Sequence, residues 1–225
     1  IELYLCIAKG IERIHQIGIA HRDLKTKNVI LFFLNASKLV KINSIDSIER
    51  GKTNEQKDIR AVICDFGLAV TNRNIKTAPL GFFLIIFNFK LIKYQPSGLS
   101  PQYTPPEIFN SVRLKTALDL KGYQKGDIFS FGVVVWEIIK RQIPWADSTL
   151  EEIEFSKGFL LYNEILLINR IKMKIKQKNQ NRDGKRLEIG EIDPSLEFLK
   201  GIIQQCWLED PQLRPLSSIL QIFPK

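Results

Sequence analysis

The stretch "HRDLKTKNVIL", residues 21–31, places His21, Arg22, Lys25 and Lys27 around a single carboxylate, Asp23, just before an apolar run. Asp23 is suited to accept a proton or to orient a hydroxyl. Lys25, two positions on, can point along the same side and neutralise a phosphate. Asn28, five positions after Asp23, offers an amide carbonyl to a hard cation such as Mg²⁺. Downstream, "DFG" (65–67) brings a second carboxylate, Asp65, followed by Phe66 and by Gly67, which permits an abrupt chain reversal. A carboxylate and an amide for a metal, with a lysine for the charge in transit, is the equipment of phosphoryl transfer.

Elements able to hold such a loop are legible around it. In "IELYLCIAKGIERIHQIG", Leu3, Ile7, Ile11 and Ile14 recur at helical spacing and Gly18 supplies a stop. "NVILFFL" and "RAVICDFG" are short β-branched runs that can pair as a ribbon. "GDIFSFGVVVWEIIK" is apolar on nearly every side, the pattern of a central buried helix. "SLEFLKGIIQQCWLED" aligns Leu196, Leu199, Ile203 and Trp207 on one helix face and stops at Pro211.

Composition excludes several classes of protein. With 44% apolar and 25% charged residues, the chain can bury one sizeable core. Cys6, Cys64 and Cys206 are too scattered for a disulfide framework, which favours a reducing compartment and a cytoplasmic location. The most apolar stretch, residues 80–92, carries Asn88 and Lys90 and is too short to span a bilayer. The net charge of +9 suggests nucleic acid, but residues 157–182 alone hold seven Lys or Arg against Glu164, a net of +6. Most of that excess sits in "INRIKMKIKQKNQNR" (168–182), which lacks interleaved aromatics for base stacking, so a solvated loop is expected and no nucleic-acid partner.

The motifs resemble those of eukaryotic protein kinases. "HRDLKTKN" and "DFG" are similar to the catalytic loop and metal-binding motif of that family. "YTPPE" (103–107) resembles the end of its activation segment, with Pro105 in place of the usual alanine. "YQKGDIFSFGVVVWEI" (123–138) resembles the central helix of the large lobe, "IPW" (143–145) follows it, and "CWLEDPQLRP" (206–215) resembles the terminal motif. The resemblance covers nearly the whole chain and is greatest to serine/threonine kinases of the tyrosine-kinase-like group.

It implies a set of roles. Asp23 would be the catalytic base, Lys25 would stabilise the γ-phosphate of ATP, and Asn28 with Asp65 would hold Mg²⁺. Arg22 would meet a phosphorylated activation-loop residue, as the guanidinium suits phosphate. His21 would orient the loop. Ser100 would support Lys25, and lysine at that position marks serine/threonine rather than tyrosine specificity. Asp127 would anchor the loop from the central helix, and Glu107 would pair with Arg214. His15 reads as packing or capping, Cys64 as a small buried hydrophobe, and Trp136, Trp145 and Trp207 as core. The implied function is transfer of the ATP γ-phosphoryl group to serine or threonine hydroxyls of protein substrates in signalling. A catalytically inactive kinase-like scaffold or a truncated fragment, acting only by protein binding, is the alternative.

The expected fold is mainly α with a small β-ribbon: the C-terminal lobe of the α+β protein-kinase-like fold, with the N-terminal lobe absent. No Gly-x-Gly-x-x-Gly loop precedes His21 and the first residue is isoleucine, so residues 1–225 read as one C-lobe fragment whose small lobe lies upstream. Three insertions, at about 32–60, 80–95 and 156–181, depart from the family pattern: Asn28 and Asp65 stand 37 positions apart, Asp65 and Glu107 stand 42 apart. The latter two segments have the Ile, Phe, Lys and Asn bias of translated intron, or of a low-complexity loop.

Overall fold

The computed structural model describes residues 1–33, 38–41, 59–74, 86–87, 90–91, 100–114, 116–148, 153 and 186–221. The first helix, α1 (Glu2–Gln16), buries Tyr4, Ile7, Ala8, Ile11 and Ile14 along one face. Tyr4 takes the place expected for Leu3, which is only half-buried. Gly18 ends the helix at φ +75°, a left-handed conformation that costs glycine little, and its N–H reaches His15 O at 3.0 Å.

Two antiparallel pairings follow and together they build the site. Strand β1 (Ile19–Ala20) pairs with β5 (Val70–Thr71). Strand β2 (Val29–Phe33) pairs with β4 (Ile59–Ile63) in the register Val29↔Ile63. Residues 21–28, between β1 and β2, are therefore held beside residues 64–69, between β4 and β5. The ribbon expected from the two apolar runs is present, and it gains a third strand: β3 (Lys38–Lys41) pairs along the other edge of β2, giving the order β3-β2-β4. Part of the segment set apart as an insertion, residues 32–60, thus continues the sheet. A further pair joins β6 (Ile86–Phe87) and β7 (Lys90–Leu91); the rest of 80–95, and all of 156–181, lie outside the described residues.

Helix α2 (Pro106–Leu114) begins on a proline, whose missing N–H costs nothing in the first turn. Helix α3 (Leu120–Lys140) is longer than the apolar run alone suggests, because Asp119 caps it by accepting from Gly122 N at 2.7 Å. Residues 126–136 of α3 are all buried, including Val133, Val134 and Val135, so this helix is the axis of the core. Helix α4 (Glu197–Cys206) buries Leu199, Ile203 and Cys206 against it. Gly132 makes that approach possible: a Cβ there would stand 2.7 Å from both Cys206 Cβ and Trp207 Nε1. Each fully buried isoleucine or leucine in this core contributes roughly 1.5–3 kcal/mol by leaving water. Trp136 and Trp207 are core residues as expected, whereas Trp145 is half-buried and sits at φ +58°.

Helices thus dominate the described residues, with few and short strands. None of the described helices is long and apolar enough to cross a membrane.

Candidate active site

The loop between β1 and β2 turns on Arg22, which adopts φ +69°. A left-handed arginine is strained by about 1–3 kcal/mol and persists only where its surroundings over-determine it. Asp127, 1% exposed on α3, does that: its Oδ2 accepts from His21 N at 2.7 Å and its Oδ1 from Arg22 N at 2.8 Å. A buried carboxylate is thereby satisfied by two consecutive backbone amides. The Arg22 guanidinium lies 4.8 Å over the ring of Tyr123, and burial holds its pKa below the usual arginine range.

Asp23 follows immediately, and it is almost wholly buried. Its Oδ2 accepts from Lys25 Nζ at 2.6 Å and from Asn28 Nδ2 at 3.2 Å. Its Oδ1 accepts from Ser100 Oγ at 2.8 Å, and Lys25 Nζ also donates to Ser100 Oγ at 2.9 Å. Three residues, one of them 75 positions away from the others' loop, close a triangle. Two of the three ammonium donors of Lys25 are thus committed, and both Asp23 oxygens are oriented.

Asn28 Nδ2 also donates to Asp23 O at 2.8 Å. With its nitrogen turned toward Asp23, the amide presents its carbonyl oxygen as the group that can ligate a cation. The backbone of Asn28 is bonded to that of Cys64 (Cys64 N to Asn28 O, 2.9 Å), which brings the next residue, Asp65, to the same end of the sheet. Asp65 is exposed and held at φ +65°. Gly67 N donates to its Oδ1 at 3.4 Å. Cys64 is half-buried rather than buried, its thiol 3.3 Å from Asn28 O.

His21, fully buried, ties the two loops together. Asp23 N donates to its Nδ1 at 3.3 Å, which makes Nδ1 an acceptor and Nε2 the donor to Cys64 O at 3.0 Å. Its ring lies 4.9 Å from that of Phe66, which is 42% exposed.

Farther off, Arg214 makes a two-pronged ion pair with Glu107, Nη1–Oε1 2.5 Å and Nη2–Oε2 3.0 Å. It secures the start of α2 to the C-terminal turns, so it supports the segment carrying Ser100 rather than touching the triangle.

Other partners of the site are absent from the residues singled out in sequence. Tyr103 donates to Glu137 Oε2 at 2.6 Å and lies 3.3 Å from Thr26 Oγ1. Burial, then the Glu137 carboxylate, push the Tyr103 phenol far above its ordinary pKa; burial likewise raises that of Glu137. A glutamate inside an apolar helix is the one sequence signal here, since a buried carboxylate needs a partner. His15, read as packing or capping, instead places Nε2 3.0 Å from Asp127 Oδ2.

A family model described as "Protein kinase domain" matches residues 2–223. The chain belongs to the protein kinase domain family. It is 26% identical over 183 residues to mitogen-activated protein kinase kinase kinase dlk-1 of Caenorhabditis briggsae, covering 78% of this chain and 16% of that protein. It is 23% identical to serine/threonine-protein kinase CTR1 of Arabidopsis thaliana (93% of this chain, 17% of the relative) and 22% identical to activin receptor type-1 of Gallus gallus (95% and 36%). Its relatives thus include serine/threonine kinases of the tyrosine-kinase-like kind, and the chain spans well under half the length of each of these three.

Among the described residues, no group of three or more His, Cys, Asp and Glu side chains forms a protein-only metal cage. An all-oxygen pair such as Asn28 and Asp65 nonetheless suits Mg²⁺, which keeps several waters and takes substrate phosphates as its other ligands.

Proposed function

We propose that this domain transfers the γ-phosphoryl group of ATP to serine or threonine hydroxyls of protein substrates. The observation that carries the reading is the triangle of Asp23, Lys25 and Ser100, a carboxylate and an ammonium locked to one hydroxyl. In this reading Asp23 faces the substrate hydroxyl and accepts its proton as the new P–O bond forms. Lys25 sits beside that carboxylate and stabilises charge on the phosphoryl oxygens in flight. Asn28 and Asp65 hold Mg²⁺, which when bound neutralises charge on the phosphates. The loop's strain at Arg22, opposed by Asp127, keeps the base in position before substrate arrives, and positioning supplies much of this catalysis. Arg22 receives a phosphorylated residue of the activation segment, at the cost of leaving its place over Tyr123. The cytoplasm, with its reducing milieu, suits the three free cysteines.

Residues 1–225 contain no glycine-rich phosphate loop, so the reading assigns the grip on ATP to a small lobe upstream. Radiolabel transfer from ATP to a generic protein substrate tests it. The intact protein is expected to label serine or threonine, and Asp23→Asn to remove most turnover while nucleotide binding persists. No transfer by the intact protein, even after activation-segment phosphorylation, would instead support the scaffold.

A further inference from the structure

We infer that Tyr123 is a competing seat for the Arg22 guanidinium, one that a phosphate must displace before Arg22 can hold it; the inference rests on the reading of Arg22 as the phosphate receptor of the activation segment. The two halves of Arg22 are held differently. Its backbone is fixed at φ +69° by Asp127, whose Oδ1 accepts its N–H at 2.8 Å. Its guanidinium lies 4.8 Å from the centre of the Tyr123 ring. The side chain can therefore change partner while the loop that carries Asp23 keeps its shape.

The seat itself is fixed. Tyr123 is 2% exposed, and it forms an apolar cluster with Ala20, Val70 and Ile108, against which Leu118 and Leu120 pack. Ala20 and Val70 are cross-strand partners in β1 and β5, so the cluster lies at the root of the catalytic loop. Its side chains are all uncharged, and the face of the ring is what it offers a cation. Arg22 is half-buried, and burial holds its pKa down, so its charge is short of solvation and gains from any anion that arrives. Leaving an aromatic face partly shielded from water shifts the equilibrium by about 3- to 30-fold. Only the unseated fraction can bind, so the apparent affinity for phosphate is lowered by the same factor. A phosphate monoester overcomes that with two charge-assisted bonds to the guanidinium. Tyr123 thus sets a threshold that weaker anions do not pass.

Titration of the intact, dephosphorylated protein with inorganic phosphate tests the role. The readout is the NMR signal of Arg22 Nε–H, which shifts when the guanidinium leaves the ring. Tyr123→Phe keeps the aromatic face and should bind phosphate as the wild type does. A trifluorinated phenylalanine at position 123 keeps the shape but withdraws charge from that face. It should bind phosphate about 3- to 30-fold more tightly than Tyr123→Phe. Tyr123→Leu, which has no ring, should act in the same direction. Equal phosphate affinity in the phenylalanine and trifluorophenylalanine variants would overturn the inference. A titration that leaves the Arg22 signal unmoved in every variant would overturn it as well. If Tyr123→Leu does not fold, the two rings, alike in shape, decide the matter alone. The readout is binding rather than transfer. A protein that moves no phosphoryl group, yet shows this order of affinities, would sink the kinase reading and leave the seat standing.

Discussion

Arg214 and Glu107, 107 positions apart, form a two-pronged ion pair in which the arginine side chain is fully buried and the glutamate is 16% exposed. Arg214 also donates to Leu208 O and Lys125 O, and its own carbonyl accepts from Lys125 Nζ. Glu107 is thus the carboxylate paired with Arg214, and burial holds the pKa of the neighbouring Lys125 below its ordinary value, with Arg214 adding to the effect. Glu107→Gln is expected to destabilise the domain by about 3–5 kcal/mol, since it strands a buried charge. Urea denaturation followed by circular dichroism measures this; a loss below about 1 kcal/mol, the value of a surface pair, would refute it.

Gly132 is where α3 and α4 meet most closely. Gly132→Ala places a methyl group 2.7 Å from Cys206 Cβ, and the backbone of neither helix can yield without disturbing the core. The expected cost is about 1–3 kcal/mol of overpacking. Gly201, on the outer side of α4, has open space around it, so Gly201→Ala serves as the control and should be neutral or stabilising. Equal melting temperatures for the two variants would contradict this packing.

Ser100 joins Lys25 to Asp23 through one hydroxyl. Ser100→Ala should lower turnover by about tenfold or more, because both partners are charged and each loses a bond. Ser100→Thr keeps the hydroxyl and should keep most of the activity. Steady-state kinetics on the intact protein distinguishes them; an alanine variant as active as wild type would remove Ser100 from the site.

Two phenols, Tyr4 buried and Tyr103 partly buried, predict alkaline instability. Tyr4 donates to Leu220 O and Tyr103 to Glu137, and burial is the main reason both pKa values lie well above that of a free tyrosine. Above about pH 10 the unfolded chain releases these protons while the folded chain retains them. The unfolded state then binds fewer protons, so stability present below that pH falls as pH rises. Melting temperatures between about pH 8 and 11 should decline, and the decline should be shallower in Tyr103→Phe. A parallel decline in the variant would show that Tyr103 does not contribute.

The amphipathic stripe of α1, the all-round apolarity of α3 and the pairing of β2 with β4 were open to a reader of the sequence. Each depends on side chains a few positions apart, and helical or strand periodicity repeats within that range. The motif residues were legible for a related reason: His21 to Asn28 lie within one short loop, so their types and spacing carry their chemistry with them. Resemblance extended this to Asp127, Ser100, Glu107 and Arg214. Tertiary structure alone decided the rest. The third strand, Lys38–Lys41, lies in a segment whose sequence reads as an interruption, and it is a strand because β2 has a free edge to pair with. Tyr103 meets Glu137, and His15 meets Asp127 across 112 positions, because α3 runs beneath both the loop and the last turn of α1. A polar side chain announces that it needs a partner once it is buried. Which partner it finds depends on how the helices cross, and that is settled by packing over the whole core rather than by any local pattern.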